Sequence, residues 1–206
     1  MARASYHHGD LERALREATL AILSEVGADA FTLREAARRA GVNHRAVYRH
    51  FADKRALLAA IAEEGYRLLA IEMRAALAEA PPVAGEARLV AVAVGYLRFA
   101  RREPARYQVM FGARLNADGR FPALEAAVND PLAVLKEELR AIGTGAGTGA
   151  PARVRRDAGI TLWSTVHGLA ALVLAGKVPL ADRHVRGYVE TVVGPVARGL
   201  VTLLGG

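Results

Sequence analysis

The chain has 206 residues, no cysteine and a formal net charge of +7 at pH 7. This length is enough for one large or two small domains with a buried core. The absence of cysteine excludes disulfides, thiolate chemistry and zinc–cysteine sites, and it suits a reducing cytoplasm. The first residues lack the apolar stretch of a signal peptide, and the longest strongly apolar run, Leu169–Ala175, is far shorter than the roughly 20 residues of a membrane span. We therefore expect a cytoplasmic protein without a membrane segment.

Positive charge is concentrated locally and not over the whole N-terminal third. Residues 30–56 contain seven Arg or Lys and two acids, a balance of +5, whereas residues 1–66 contain ten bases and nine acids, a balance of +1. The local cluster therefore indicates a polyanion partner, and the global charge adds only weak support.

Two helices are predicted before residue 42. The first ends at Gly27, and one apolar stripe is expected to pack it on its neighbours: Leu11, Ala14, Leu15, Ala18, Ile22 and Val26. The second begins at Leu33, because Thr32 and Glu35 have the spacing of a capping box and Phe31 can pack against the helix entry. Gly41 supplies the left-handed residue that ends it.

A third short helix is capped by Asn43 and turns Val42, Val47 and Phe51 inward. That arrangement leaves four side chains pointing away from the core at helical spacing: His44, Arg45, Tyr48 and Arg49. Asp53 caps the start of a fourth helix, where Lys54 and the helix N-terminus could together hold a phosphate oxygen. Two short helices that are joined at a glycine, with cations on the second helix, are typical of a helix-turn-helix motif that reads the DNA major groove.

The remaining sequence is also helical, without strand signals or internal repeats. The fourth helix runs from Lys54 to about residue 79 and is stopped by Pro81 and Pro82. Further helices are expected over residues 83–102, 104–111, 124–142, 152–175 and 181–204, with a kink or a fresh start at Pro131 and a flexible glycine-rich loop over residues 143–151. The fold class is therefore all-α, with about nine helices, a helix-turn-helix domain over residues 1–53 and a larger helical domain over residues 54–206.

The last two helices are more apolar than one small core requires. The final helix repeats apolar residues at three- and four-residue steps: Val185, Tyr188, Val189, Val192, Val196, Leu200 and Leu203. Pairing both helices with a symmetry mate would bury them in a four-helix homodimer interface. Alternatively, the stripe completes the core of one chain. A homodimer would present two recognition helices about 34–36 Å apart and would require a palindromic operator.

The run from Thr32 to Lys54, its ending Tyr-Arg-His-Phe-Ala-Asp-Lys and the opening Tyr6-His7-His8-Gly9-Asp10-Leu11 resemble the DNA-binding domain of the tetracycline-repressor-like (TetR) family of transcriptional regulators. The resemblance implies phosphate contacts from Thr32, Tyr48, His50 and Lys54, and base-edge or groove contacts from Arg34, Asn43, His44 and Arg45. The subfamily with this opening usually has Arg where Glu12 stands, which argues against a phosphate contact at that position.

A second pattern, Arg102-x-Pro104-x-x-Tyr107-x-x-Met110-Phe111-Gly112 followed by Trp163-x-x-x-His167-Gly168, resembles the ligand-binding domain of the TetR subgroup named for its Trp, His and Gly. The resemblance implies a small-molecule effector among the middle helices. An apolar wall with a few polar groups is typical of such sites. The candidate wall residues are Tyr66, Tyr96, Phe99, Tyr107, Met110, Phe111, Trp163 and His167, although aromatic and Met residues at helical spacing more often form core.

Several of these residues also have structural explanations. His50 beside Phe51 fits a half-buried packing histidine, Arg38 and Arg39 fit a solvated helix face, and Tyr48 fits a packed ring with a wet hydroxyl.

Two other functional classes remain as alternatives. A helical enzyme would use His167, His184 or the His7-His8 pair, but no nucleophile, carboxylate pair or metal-spaced cluster accompanies them. A nonspecific architectural DNA protein would not need the large apolar second domain. We therefore expect a repressor that binds operator DNA as a homodimer and is released by an effector, with no enzymatic activity, cofactor or metal.

Overall fold

The computed structural model describes residues 8–142 and 150–205, except for the side chains of residues 8–10, 28–30 and 44. These described residues form nine α-helices and no strand, which confirms the all-α fold class. The helices are α1 His8–Ala30, α2 Leu33–Arg39, α3 His44–His50, α4 Lys54–Ala78, α5 Glu86–Arg102, α6 Pro104–Phe111, α7 Pro122–Ile142, α8 Ala152–Leu174 and α9 Val185–Gly205. Tyr6 and His7 of the opening motif and residues 143–149 of the predicted loop lie outside the described part.

The chain divides into two compact units that cut across its sequence order. One contains the chain up to Gly65 together with Pro104–Glu125, and the other contains Tyr66–Glu103 together with the chain from Ala126 onward. The first unit therefore combines α1, α2, α3 and the start of α4 with α6 and the segment that follows it. The second combines the rest of α4 with α5, most of α7, α8 and α9.

In the first unit, α1 packs on α2 and α6, and α2 packs on α3. Its largest fully buried side chains are Leu15, Ile22, Phe31, Val47, Leu57 and Ile61. The prediction that Val26 joins this core is wrong, because Val26 is 54% exposed. The backbone breaks at Gly27, with φ 76° and ψ 174°, and Phe31 on the far side of that break is buried instead.

In the second unit, α5 is the central helix and packs on both α8 and α9. Every residue from Leu89 to Leu97 is buried, so α5 is surrounded over more than two turns. Gly95 allows α4 to approach closely, because a Cβ atom there would lie 2.6 Å from the Cα of Met73 and 2.6 Å from the carbonyl oxygen of Glu72.

Several helix boundaries differ from those predicted: α7 begins at Pro122, two residues early, and α9 at Val185, four residues late. α5 begins at Glu86, three residues late, because Gly85 has a φ of 150° that a helix cannot contain. α7 continues through Pro131 as one helix, so the suggested fresh start does not occur. Proline removes one helical hydrogen bond at a cost of about 3 kcal/mol, and the buried side chains of Ala127 and Val134 on either side of it favour the continuous helix.

Within the described residues, α8 is long and apolar enough, by length and composition alone, to cross a membrane. One third of its most apolar stretch, 33%, is buried in the structure. Packed helices of water-soluble proteins meet the same criterion, so the finding is weak evidence for a membrane span. It shows instead that α8 keeps a large apolar face outside the core of its own chain.

Candidate nucleic-acid interface

The start and end of α2 follow from its capping residues. Thr32 Oγ1 accepts a hydrogen bond from the backbone N–H of Glu35 at 3.2 Å, and Gly41 beyond the helix has a φ of 66°. Both features confirm the predicted boundaries. The Glu35 carboxylate does not close the capping box, because it accepts hydrogen bonds from Arg38 and Arg39 on its own helix.

Arg39 also joins α2 to α1. Its Nη2 atom lies 2.5 Å from a carboxylate oxygen of Glu25, whereas the side chain of Arg38 is 70% exposed and contacts only Glu35 among the described acidic groups. The hydrogen bond from Arg38, followed by that from Arg39, lowers the pKa of Glu35 from 4.5 to about 2. Arg39 is therefore a structural cation, and Arg38 lies on the solvated face that the sequence suggested.

The third helix presents a row of hydrogen-bond donors to solvent. Asn43 Oδ1 caps it by accepting a hydrogen bond from Arg45 N at 2.8 Å, as predicted. Val47 is fully buried beneath the helix, while Arg45, Tyr48 and Arg49 are exposed, Tyr48 to 48%. The side chain of His44 lies outside the described residues. An exposed helix with two guanidinium groups and a phenol can supply both phosphate and base-edge contacts.

Thr32 and Lys54 flank this helix from two other helix starts. Thr32 is exposed at the N-terminus of α2, and Lys54 is the first residue of α4. The Lys54 ammonium lies 5.4 Å from the ring centroid of Phe31, the residue immediately before Thr32. The structure thus places the Lys54 ammonium over the ring of the residue that precedes Thr32, although Thr32 and Lys54 are 22 positions apart, and an ammonium at a helix start is suited to phosphate oxygens.

His50 contacts a partner that sequence reasoning did not identify. Its side chain is 15% exposed, and its Nδ1 atom lies 3.1 Å from a carboxylate oxygen of Glu12 on α1. Glu12 is held in turn by Arg16, one helical turn away, at 3.2 Å. The sequence signal for this contact was Glu12 itself, an acid at the position where the resemblance implied Arg.

The segment after α6 contacts the start of α4 through two ion pairs. Arg120 Nη1 lies 2.6 Å from Asp53 Oδ2, and Arg55 Nη2 lies 2.5 Å from Asp118 Oδ2. Both guanidinium groups lie over the ring of Phe121, at 5.1 Å for Arg120 and 5.3 Å for Arg55. The hydrogen bond from Arg120 is the main cause of a lowered pKa at Asp53. The sequence did not predict these ion pairs, because charged residues that are more than 60 positions apart show no repeating pattern along the chain.

Among the candidate effector-binding residues, Tyr96 and His167 form a direct contact in the second unit. The Tyr96 hydroxyl oxygen lies 2.8 Å from His167 Nδ1, and Tyr96 is buried. Burial lowers the pKa of His167 below its ordinary value of 6.5. The imidazole is therefore mainly neutral at physiological pH, and the hydroxyl and Nδ1 share a hydrogen bond whose donor is set by which ring nitrogen carries the proton.

The other candidates are distributed between the two units. In the first unit the rings of Tyr107 and Phe111 lie 4.7 Å apart, and Met110 packs so closely on α4 that a Cβ atom at Gly65 would lie 2.5 Å from its sulfur. In the second unit Tyr66 and Phe99 are buried. Trp163 is half-buried and forms part of a groove between α7 and α8.

Within the part of the chain that the structure describes, no group of three or more His, Asp or Glu side chains is arranged to hold a metal ion.

The geometry defines a class of protein. An all-helical chain with a capped two-helix motif, an exposed cationic second helix and an ammonium at the start of the next helix is a helix-turn-helix DNA-binding protein. Two family models match it: "Tetracyclin repressor-like, C-terminal domain" over residues 89–194 and "Bacterial regulatory proteins, tetR family" over residues 15–61. The chain belongs to the tetracycline-repressor-like (TetR) family of DNA-binding transcriptional regulators.

The chain is also similar to solved structures and, over a short segment, to a tetracycline repressor. A protein of unknown function from Rhodococcus sp. RHA1 is 31% identical, with a TM-score of 0.78 over 97% of this chain and 100% of the other. PfmR, a TetR family transcriptional regulator from Thermus thermophilus, shares the fold at 20% identity, with a TM-score of 0.66 over 87% of this chain and 96% of its own. The tetracycline repressor protein class A from transposon 1721 of Escherichia coli is 54% identical over 46 residues, which span 22% of this chain and 21% of that repressor.

Proposed function

We propose that the protein is a repressor that binds a palindromic operator as a homodimer and releases it when a small-molecule effector binds residues 54–206. The observation that carries the proposal is the exposed face of α3, where Arg45, Tyr48 and Arg49 point away from a fully buried Val47. Residues 1–53 then form the DNA-reading part. The family membership favours a cytoplasmic regulator without enzymatic activity.

The DNA contacts divide into two roles. Thr32, Tyr48, His50 and Lys54 hold phosphates and set the register of the protein on the duplex. Four side chains read base edges or the groove: Arg34, Asn43, His44 and Arg45. Arg49 is exposed on α3 like Arg45 and joins the DNA-binding set. Phosphate contacts contribute affinity that is independent of sequence, whereas base contacts provide discrimination.

Exposed apolar residues on α8 and α9 support the homodimer. Leu172, Val192 and Leu203 are 49%, 39% and 57% exposed, although they are large aliphatic side chains. Val189 and Leu200, from the same predicted stripe, are buried within the chain. The alternative that the stripe completes the core of one chain therefore accounts for part of it, and a symmetry mate would cover the remainder.

The effector acts by preferring one of two dimer states. Tyr66, Tyr96, Phe99, Trp163 and His167 of the second unit are the proposed wall residues, and the Trp-His-Gly pattern supports the proposed membership of the subgroup of that name. The same resemblance also implicates Tyr107, Met110 and Phe111, which lie in the first unit. A tenfold loss of operator affinity requires only about 1.4 kcal/mol of coupling between the two sites. The Tyr96–His167 hydrogen bond supplies a polar group that an effector could contact or displace.

The testing experiment compares binding to DNA from upstream of the protein's own gene with binding to a scrambled duplex of the same composition, at physiological salt with competitor DNA. We expect preferential binding of the native fragment by two chains. The double variant Arg45→Ala/Arg49→Ala should lose the preference. Arg74→Ala/Arg153→Ala, which removes two exposed cations elsewhere, should keep it. Equal binding of both duplexes by the unaltered protein would favour an architectural protein and refute sequence-specific regulation at this site.

A further inference from the structure

A groove of about 520 Å³ lies between α7 and α8 in the second unit. Leu135 and Leu139 on α7 and Ile160 and Trp163 on α8 give it apolar walls. Ile160 is 57% exposed, an unusual state for a large aliphatic residue beside a cavity. The volume falls within the range of about 300–1,000 Å³ that small-molecule sites occupy.

The rim of this groove is cationic. Its lining includes Lys136, Arg140, Arg155 and Arg156 and no acidic residue among those the structure describes. Arg155 donates to the carbonyl oxygen of Ala150, and Arg156 pairs with the neighbouring Asp157 at 3.1 Å. Two of the four rim cations are therefore already engaged by the protein.

The other two rim cations, Lys136 and Arg140, lack contacts of the kind that Arg155 and Arg156 form. They lie one helical turn apart on α7, and neither forms a hydrogen bond or an ion pair with any described side chain. Like charges at this helical spacing destabilise a helix. An anion bound between them would remove that repulsion, and the apolar walls of the groove raise the strength of such a contact by lowering the local dielectric.

The groove is also adjacent to the interior of the second unit. Leu135 and Trp163 line a second, smaller cavity of about 20 Å³, whose other walls include Met73 on α4 and Tyr96 on α5. These two side chains therefore separate the groove from the core between α4 and α5. An apolar group that displaced Trp163 would change the packing around Tyr96, the hydrogen-bond partner of His167.

We propose that this groove binds an amphipathic anion, with its charged head between Lys136 and Arg140 and its apolar body against Ile160 and Trp163. Binding to the groove depends only on residues of the second unit. The idea that the bound anion is the effector rests, in addition, on the function proposed above. The head group is a carboxylate or a phosphate monoester, because both match two adjacent cations.

Trp163 provides a direct readout, since it is the only tryptophan in the chain. Its fluorescence is titrated with dodecanoate, monododecyl phosphate and the neutral dodecanol, each below its micelle concentration. We expect a saturable change with at least one anion, at an affinity at least about tenfold above that of dodecanol, because each charge-assisted contact contributes about 1.5–3 kcal/mol. The anion that binds identifies the head group.

Two double variants locate the charge selectivity. Lys136→Ala/Arg140→Ala should weaken anion binding about tenfold or more and leave dodecanol binding unchanged. Arg74→Ala/Arg153→Ala removes the same charge from outside the groove and should behave like the unaltered protein. Equal affinity for dodecanol and the anions, or undiminished anion binding by Lys136→Ala/Arg140→Ala, would overturn the proposal. A Trp163 fluorescence change that depends on protein concentration and not on ligand concentration would also overturn the proposal, because a second copy of the chain would then cover the groove.

A parallel operator-binding assay separates this site from the proposed regulation. Fluorescence binding with unchanged operator affinity would keep the groove as an anion site and reject its role as the effector site. Operator release by the anion without a Trp163 response would reject the groove and keep the regulator. Absence of operator binding under every condition would refute the proposed function. The fluorescence titration would still show whether the groove binds an amphipathic anion.

Discussion

Arg120 donates a hydrogen bond to Asp53 at 2.6 Å, although the two residues are 67 positions apart. The second carboxylate oxygen of Asp53 accepts the backbone N–H of Ala56 at 2.8 Å and so caps α4. One carboxylate thus begins the helix that follows the recognition helix and also anchors the segment after α6. The helix cap and the ion pair are expected to contribute different amounts to the free energy of unfolding, so substitutions of Asp53 and Arg120 can measure the two contributions separately.

Asp53→Ala should destabilise the protein by about 0.5–2 kcal/mol, because it removes the helix cap. Arg120→Ala retains the cap and loses only a partly exposed ion pair, so its cost should stay below about 1 kcal/mol. Urea denaturation followed by circular dichroism measures both. A larger loss for Arg120→Ala than for Asp53→Ala would show that the ion pair, and not the cap, holds this region.

Lys54→Ala and Arg45→Ala should weaken DNA binding in different ways. Loss of the Lys54 ammonium should reduce affinity for every sequence alike and lower the salt-dependence slope by about one unit. Loss of Arg45 should cost about 1–3 kcal/mol on the operator and relax the preference at one position. Binding is measured on operator and mismatched duplexes across a salt series, with Arg153→Ala as the control. Equal losses on all duplexes for both variants would refute the division of roles.

Leu172→Arg and Val192→Arg should convert the proposed homodimer to monomer, because each places a charge in a surface that a partner would desolvate. Val83→Arg is the matched control, since Val83 is 76% exposed in the connection between α4 and α5. Sedimentation at micromolar concentration should show a dimer for the unaltered protein and for Val83→Arg only. Dimers in all four proteins would place the interface elsewhere.

Gly95→Ala should destabilise the second unit by about 1–3 kcal/mol, as overpacked cores do. The new methyl group would lie 2.6 Å from backbone atoms of Glu72 and Met73, which cannot move as a flexible side chain can. Gly187→Ala on α9 is the control, because no described atom lies within 4 Å of its Cβ position. That change should raise stability by up to about 1 kcal/mol through helix propensity. Thermal and urea unfolding of both variants gives the comparison.

His167 should make the protein less stable in acid. Because burial lowers the pKa of His167 below 6.5, the unfolded chain takes up a proton that the folded chain does not bind. Well above pH 6.5 the His167 imidazole is neutral in both states and does not reduce the free energy of unfolding. As pH falls below 6.5 the unfolded chain binds the proton first and the free energy of unfolding decreases. The decrease ends once pH is below the lowered pKa of His167 in the folded protein. His167→Gln should lose less stability than the unaltered protein between about pH 7.5 and about pH 5.5. The exposed His184→Gln controls for the loss of an imidazole. Parallel pH curves for His167→Gln and the unaltered protein would contradict the prediction.

Much of the local structure was predictable from the sequence. Thr32, Gly41 and Asn43 set the ends of α2 and α3 because capping depends on residues within three or four positions of one another. Pro104 begins α6, and α6 ends at Phe111, as predicted from the same short-range rules. Val26 was misjudged, and of the two alternatives at Pro131, a kink or a fresh start, the fresh start does not occur. Whether a residue on a helical stripe is buried, or whether a helix passes a proline, depends on what packs against it.

The helix-turn-helix motif, the all-helical class and the family resemblance were readable from the chain, because each is encoded in short spacings between residues. The contacts of His50 with Glu12, of Arg120 with Asp53 and of Tyr96 with His167 became visible in the folded chain. The folded chain also showed that Lys136 and Arg140 border an apolar groove. These pairings join residues that are distant in sequence, and their geometry follows from how whole helices pack, which no local spacing specifies.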